Sequence, residues 1–250
     1  MRFRMSFAGS AVCLIGLAFP ASSQTSPGGN TTSQVSKTWE VGRSVADQLD
    51  PFVRHVEHLR LDYLGDYLQR LEDRVATRAG VKPEEIRVTD GSEWYAFLLP
   101  QVALYISVGL LERVSSEGEL AGLLAHELAH ENPKLAGGRF QQCALAAGYL
   151  PVERSPRESE RLATQRAIGY MKASGYDPSA MLDLFSQVSY ENQKWSKAIA
   201  SEDLLRLRVA LEAEAEPADG YVIDDSEFAK FRARLPGVKP IPLIILRPRQ

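Results

Sequence analysis

"SEGELAGLLAHELAHENP", Ser116 to Pro133, carries two of the four histidines in this 250-residue chain. Ser116 and Glu119 form an S-x-x-E capping box, which predicts a helix beginning near Glu117. Pro133 disfavours helical backbone in the residue before it, so the helix should stop at Glu131 or Asn132. Residues four apart on a helix differ by only about 40° in direction, so His126 and His130 face the same way. Both imidazoles can then reach one ion, and neutral histidine nitrogen is a good ligand for zinc. Glu127 points off that axis, which suits a base acting on water better than a ligand.

A zinc ion that does chemistry needs a third protein ligand and an open position. The remaining histidines, His55 and His58, lie three apart, but no acid or cysteine arrangement completes a site around them; they read as solvated helix residues. No histidine follows His130, so the third ligand should be a carboxylate from elsewhere. "SPRESERLATQRAIGYMKASGYDP", Ser155 to Pro178, offers candidates. Ser155, Pro156 and Glu158 read as N-cap, first-turn proline and capping-box partner, which gives Glu158 a structural task. Glu160 has no such task, and it shares a helix face with Thr164, Ala167 or Ile168, and Met171. Gly175 should end this helix and Asp177-Pro178 should cap the next.

Upstream, "EWYAFLLPQVALYISVGLL" gives two aromatic and β-branched runs broken at Pro100, and "IRVTDG" alternates and ends in an Asp-Gly turn; together they predict a small antiparallel sheet. Leu61, Leu64, Leu68, Leu71 and Val75 recur at spacings of three and four, an amphipathic helix ended by Gly80. Before it, Val35, Trp39, Val45 and Leu49 mark a first helix, and Asp50-Pro51 opens another. The expected class is α+β, mostly helical, with one small sheet.

The N-terminal stretch has Arg2 and Arg4, an apolar run from Phe7 to Phe19, then Ala21, Ser22 and Ser23, the layout of a secretory signal peptide. Its apolar run is shorter than the roughly 20 residues that span a bilayer, so membrane association is expected only if this segment is retained. Export to the periplasm or the extracellular space follows. Residues 24–36 read as a flexible linker, 37–215 as the metal-bearing domain and 216–250 as a C-terminal extension whose proline-rich end is extended. The net charge of −3 gives no reason to expect a nucleic-acid partner, and removal of Arg2 and Arg4 makes the mature chain more acidic. Cys143 alone would remain after cleavage, so no internal disulfide is expected.

The chain resembles the gluzincin metallopeptidases, the family of the CAAX prenyl protease, HtpX, the mitochondrial Oma protease and BepA-like periplasmic proteases. The likeness runs from about Glu40 to Leu211. "GLLERVSSEGELAGLLAHELAH" is similar to the segment leading into that family's active helix, and "ESERLATQRAIGYMKASGYDP" to its second motif. The resemblance implies one catalytic zinc held by His126, His130 and Glu160, with Glu127 as the catalytic base. It also implies a zincin-like fold with the small antiparallel sheet beside the histidine-bearing helix, and an extended substrate lying beside a strand within Trp94 to Val108. Three features depart from the pattern, and the family's asparagine at the start of the strand segment, replaced here by Tyr95, belongs to the second of them. The family's aspartate falls on Thr164, its glycines after proline fall on Gln101 and Val102, and its late histidine falls on Ala200, although the following arginine is present as Arg206. Arg206 is thereby the suggested oxyanion donor, and Tyr170, Tyr176 and Tyr190 are alternatives for the missing histidine's role.

The expected activity is hydrolysis of peptide bonds in unfolded or flexible proteins, for quality control or processing. The competing expectation, motivated by Thr164, Gln101-Val102 and Ala200, is a zinc-binding chaperone-like or interaction protein with weak or lost proteolysis.

Overall fold

Leu64, Tyr67, Leu68, Leu71 and Val75 line one face of α1 (Asp62–Ala79), and all are buried in the computed structural model. The structure describes residues 47, 62–90, 94–99, 102–130, 156–191, 199–214, 220–222 and 226–235. The signal segment, the linker, the helix opening at Asp50-Pro51 with His55 and His58, Pro100, Gln101, Cys143, segment 134–155 and the tail from 236 lie outside these residues. So does the first predicted helix apart from Asp47, which is helical.

Three strands follow α1: β1 (Ile86–Thr89), β2 (Ala96–Leu99) and β3 (Ala103–Ser107). The break expected between the two runs falls between β2 and β3, which pair antiparallel with Phe97 opposite Tyr105. The sheet is nonetheless mixed, because β1 pairs with β3 in parallel, Val88 opposite Ile106. The order β1-β3-β2 explains this: β2 returns one strand-width away from β1, and β3 turns back into the gap, running the same way as β1. Strand periodicity marks each segment but not which neighbour it will choose.

β3 leads directly into the short α2 (Val108–Leu111), capped by Ser107, whose hydroxyl accepts from the Leu110 amide. Then comes α3 (Glu117–Ala129), opened as its sequence predicts: Ser116 Oγ accepts from the Glu119 amide at 3.1 Å. The Glu119 carboxylate turns back onto the main-chain amide and the hydroxyl of Ser115. Almost every residue of α3 is buried, its leucines and alanines together with Glu117, Glu119, His126 and Glu127. It packs against α1, β2, α4 (Pro156–Ser174) and α5 (Pro178–Glu191). Its helical stretch ends at Ala129, slightly earlier than Pro133 suggests, but His130 keeps right-handed helical backbone as the C-cap and so keeps its place one turn after His126.

Two glycines fix how the helices meet. Gly175, at φ +81°, ends α4: its own amide bonds to Lys172 O and the next, that of Tyr176, to Met171 O at 2.9 Å, a Schellman closure requiring left-handed backbone. Gly122 lets α5 press onto α3, since a Cβ there would lie 2.4 Å from Met181 Cβ. Asp177 caps α5, accepting from the Ser179 amide at 2.8 Å.

Beyond these, α6 (Ser201–Glu212) lies on α5, and α7 (Ser226–Arg232) on α1, with the Phe231 ring 5.0 Å from that of Tyr67. Phe228, Phe231 and Leu235 join the same hydrophobic core, so part of the stretch read as an extension is packed against the domain. Among the described residues no helix is long and apolar enough to cross a membrane.

Candidate metal centre

His126 and His130 come from the C-terminal turn of α3, and Glu160 from the first turns of α4. The two helices pack side by side. Glu160 is 1% exposed, His126 0% and His130 8%, so a carboxylate and two imidazoles share one buried point. Glu160 Oε2 lies 3.0 Å from His126 Nε2 and 3.5 Å from His130 Nε2, and the two Nε2 atoms are 3.2 Å apart. They form the one group of three possible metal ligands found among the described residues.

These separations test whether a metal fits. Four ligands at the usual 2.0–2.1 Å around zinc stand about 3.3–3.4 Å from one another in a tetrahedron. The three observed distances bracket that edge, and the donor set is two imidazole nitrogens and one carboxylate oxygen, a set zinc accepts. Three buried acceptor atoms this close repel unless a proton or a cation lies among them. The residues fit a zinc ion.

The surroundings hold the ligands in place. Phe185 of α5 meets the His126 ring edge-on, centroids 4.9 Å apart and planes at 84°. This follows from the Gly122–Met181 contact, because one turn further along each helix come His126 and Phe185. Thr164 Oγ1 lies 3.3 Å from His126 Nδ1 and donates to the Glu160 carbonyl at 2.8 Å. Glu127, between the two histidines in sequence, is completely buried.

At the other end of α3, Glu117 accepts from Tyr67 at 2.8 Å, Tyr176 at 2.6 Å and Arg74 at 3.1 Å. Burial first, and then hydrogen bonding to Glu117, pushes both phenols above their ordinary range, so they stay protonated and donate. This buried hub anchors the start of the histidine-bearing helix to α1 and to the turn after α4. Read along the chain, Glu117 is only a helix start, and Phe185 and Gly122 have no part in the site; a carboxylate at the first position of a helix rich in leucine and alanine was the available signal.

Of the other predicted residues, Glu158 is exposed and pairs with Arg161 at 2.7 Å, while Ser155 lies outside the described residues. Arg206 is 81% exposed, 4.0 Å from Asp203, and so does not line a centre that is almost wholly buried. Its helix turns Leu204 inward, and a residue two further on faces the opposite side. Tyr176 is engaged by Glu117 and Arg74, and Tyr190 is 93% exposed. Ala200 caps α6 without a side-chain hydrogen bond.

A pair of histidines one helical turn apart, a glutamate following the first and a carboxylate from a second helix define the gluzincin class of metallopeptidase site. Sequence comparison agrees. Residues 64–134 match the model of peptidase family M48. A 62-residue stretch is 42% identical to a protease HtpX homolog of Acidiphilium cryptum (strain JF-5), covering 23% of this chain. Both matches support the M48 gluzincin metallopeptidase family for this protein. The aligned stretch spans about a fifth of that relative, 21% of its length. The family match ends before Glu160, so it does not cover the carboxylate that the geometry brings to the two histidines.

Proposed function

We propose that this protein is an exported zinc-dependent endopeptidase that hydrolyses peptide bonds in unfolded or flexible protein segments, in quality control or processing. The observation that carries the reading is the convergence of His126, His130 and Glu160 at one buried point, with Glu127 on the same helical turn. These three side chains would hold the ion. Zinc supplies Lewis acidity, which polarises a peptide carbonyl and makes water a nucleophile near neutral pH.

The protein's own groups do the rest. Glu127 takes a proton from the attacking water and passes it to the leaving amine, a transfer worth about 10²–10⁴-fold in rate when well placed. Burial of the centre excludes bulk water and strengthens every charge interaction within it. The edge position of β2 beside α3 supports a substrate laid extended along that side of the sheet, recognised through its main chain. Main-chain recognition favours segments without fixed structure. Arg2, Arg4 and the apolar run after them support export.

The test is zinc content by elemental analysis of the purified protein, with casein cleavage by the wild type and by Glu127→Gln. One zinc per chain in both, with cleavage in the wild type reduced at least about 100-fold by the substitution, is the expected result. Zinc without cleavage in either protein would favour a zinc-binding interaction protein, a reading that the solvent-facing Arg206 also favours. Cleavage that survives the substitution would remove Glu127 from its role.

A further inference from the structure

Thr164 touches both ligand-bearing helices through one atom. Its Oγ1 stands 2.8 Å from the Glu160 carbonyl on its own helix and 3.3 Å from His126 Nδ1 on α3. The side chain is 1% exposed, so water does not substitute for either partner. A hydroxyl has one proton to give and can accept from others. The shorter contact is to a carbonyl, which only accepts, so the proton goes to Glu160 O. The contact to His126 must then run the other way, with Nδ1–H donating to Oγ1. A neutral imidazole carries one proton, and with Nδ1 protonated the Nε2 lone pair can bind a cation. Nε2 is the atom that faces His130 and Glu160.

We infer that Thr164 is a positioning residue: its hydroxyl selects the His126 tautomer whose Nε2 can bind a metal, and ties that ring to the main chain of Glu160. The inference rests on the metal reading above and concerns how two of its ligands are held. A competing arrangement exists, in which Nε2–H donates to Glu160 Oε2 at 3.0 Å and Nδ1 accepts from the threonine. That tautomer closes the site to a cation. Thr164 opposes it by committing its proton to the carbonyl. Phe185, edge-on to the ring, limits rotation of the imidazole but offers it no hydrogen bond.

The experiment uses the full chain with zinc as the probe. Affinity is measured by competition with a chromophoric chelator for the wild type, Thr164→Val and Thr164→Ser. Valine keeps the shape and removes the hydroxyl, so zinc binding should weaken by about 10- to 100-fold, the usual effect of losing a partner behind a ligand histidine. Serine keeps the hydroxyl and should restore affinity to within about 3-fold of the wild type. Imidazole ¹⁵N spectra of the zinc-free wild type should show the neutral His126 ring protonated at Nδ1, a tautomer that no bound metal can then have imposed. Equal affinity in the wild type and the valine variant, or an unprotonated Nδ1, would overturn the assignment while leaving the metal reading intact. The ¹⁵N spectrum decides the matter even if the valine variant does not fold. Wild-type protein that binds no zinc would overturn both.

Discussion

Replacing Gly122 with alanine tests the link between helix packing and the metal centre. In an open helix position this change stabilises a protein by about 0.8–1.0 kcal/mol, because alanine loses less backbone freedom than glycine. At Gly122 the new methyl would lie 2.4 Å from Met181 Cβ and 3.0 Å from Met181 Cα and Cγ. Carbon atoms rest about 3.5–4.0 Å apart, so α5 must retreat by roughly 1 Å or more. Two of the three atoms met are Cα and Cβ, which no rotamer change can move. Overpacking of this kind costs about 1–3 kcal/mol, so the net change is a loss of about 0–2 kcal/mol. Gly169, in the middle of α4, has nothing within 4 Å of an added methyl, so Gly169→Ala should gain the full helix propensity. Urea titration of the wild type and both variants measures the pair. The expected separation between the two alanines is about 1–3 kcal/mol, with Gly169→Ala above the wild type. Gly122→Ala should also weaken zinc binding, because a retreating α5 carries Phe185 away from His126. Stabilisation of both variants to the same extent would refute the close approach and its tie to the site.

Glu72, buried on α1, accepts from the Glu84 amide at 2.9 Å, yet burial raises its carboxyl from 4.5 to about 8. The folded state therefore holds a proton that the unfolded chain has released between these values, so this contribution is complete below pH 4.5 and lost as pH rises towards 8. Stability should fall by roughly 3–5 kcal/mol over that window, and Glu72→Gln should flatten the profile in denaturant titrations at each pH. Removal of metal gives a separate check. If His126, His130 and Glu160 bind zinc only in the folded chain, zinc at about 100 times its dissociation constant should stabilise by about 2.7 kcal/mol. Differential scanning calorimetry should show that increment abolished by chelator and by Glu160→Gln; an unchanged response in Glu160→Gln would remove that carboxylate from the ligand set.

Much of the local structure was legible because it depends on neighbours in sequence. The Ser116 cap, the three-and-four spacing of Leu64 to Val75, the turn at Gly175 and the cap at Asp177 are all set within one or two helical turns, and each forms where its residues predict. The break between Leu99 and Ala103 is local in the same sense. The parallel pairing of β1 with β3 is not, since it depends on which side of the sheet the chain returns, and alternation of residue type carries no such information. Arg206 shows a likeness in sequence that the fold does not turn into a place at the centre.

That His126 and His130 share a helix face, and that Glu160 is the carboxylate available to join them, can be read along the chain because helical periodicity and capping act over short distances. Helix packing brings the carboxylate to 3.0–3.5 Å from the imidazoles, closes Phe185 on His126 and lets one threonine hydroxyl bridge two ligands. Those contacts join residues of different helices. They depend on how closely helices approach, which is settled by packing at points such as Gly122 and Met181 and not by any spacing along the chain.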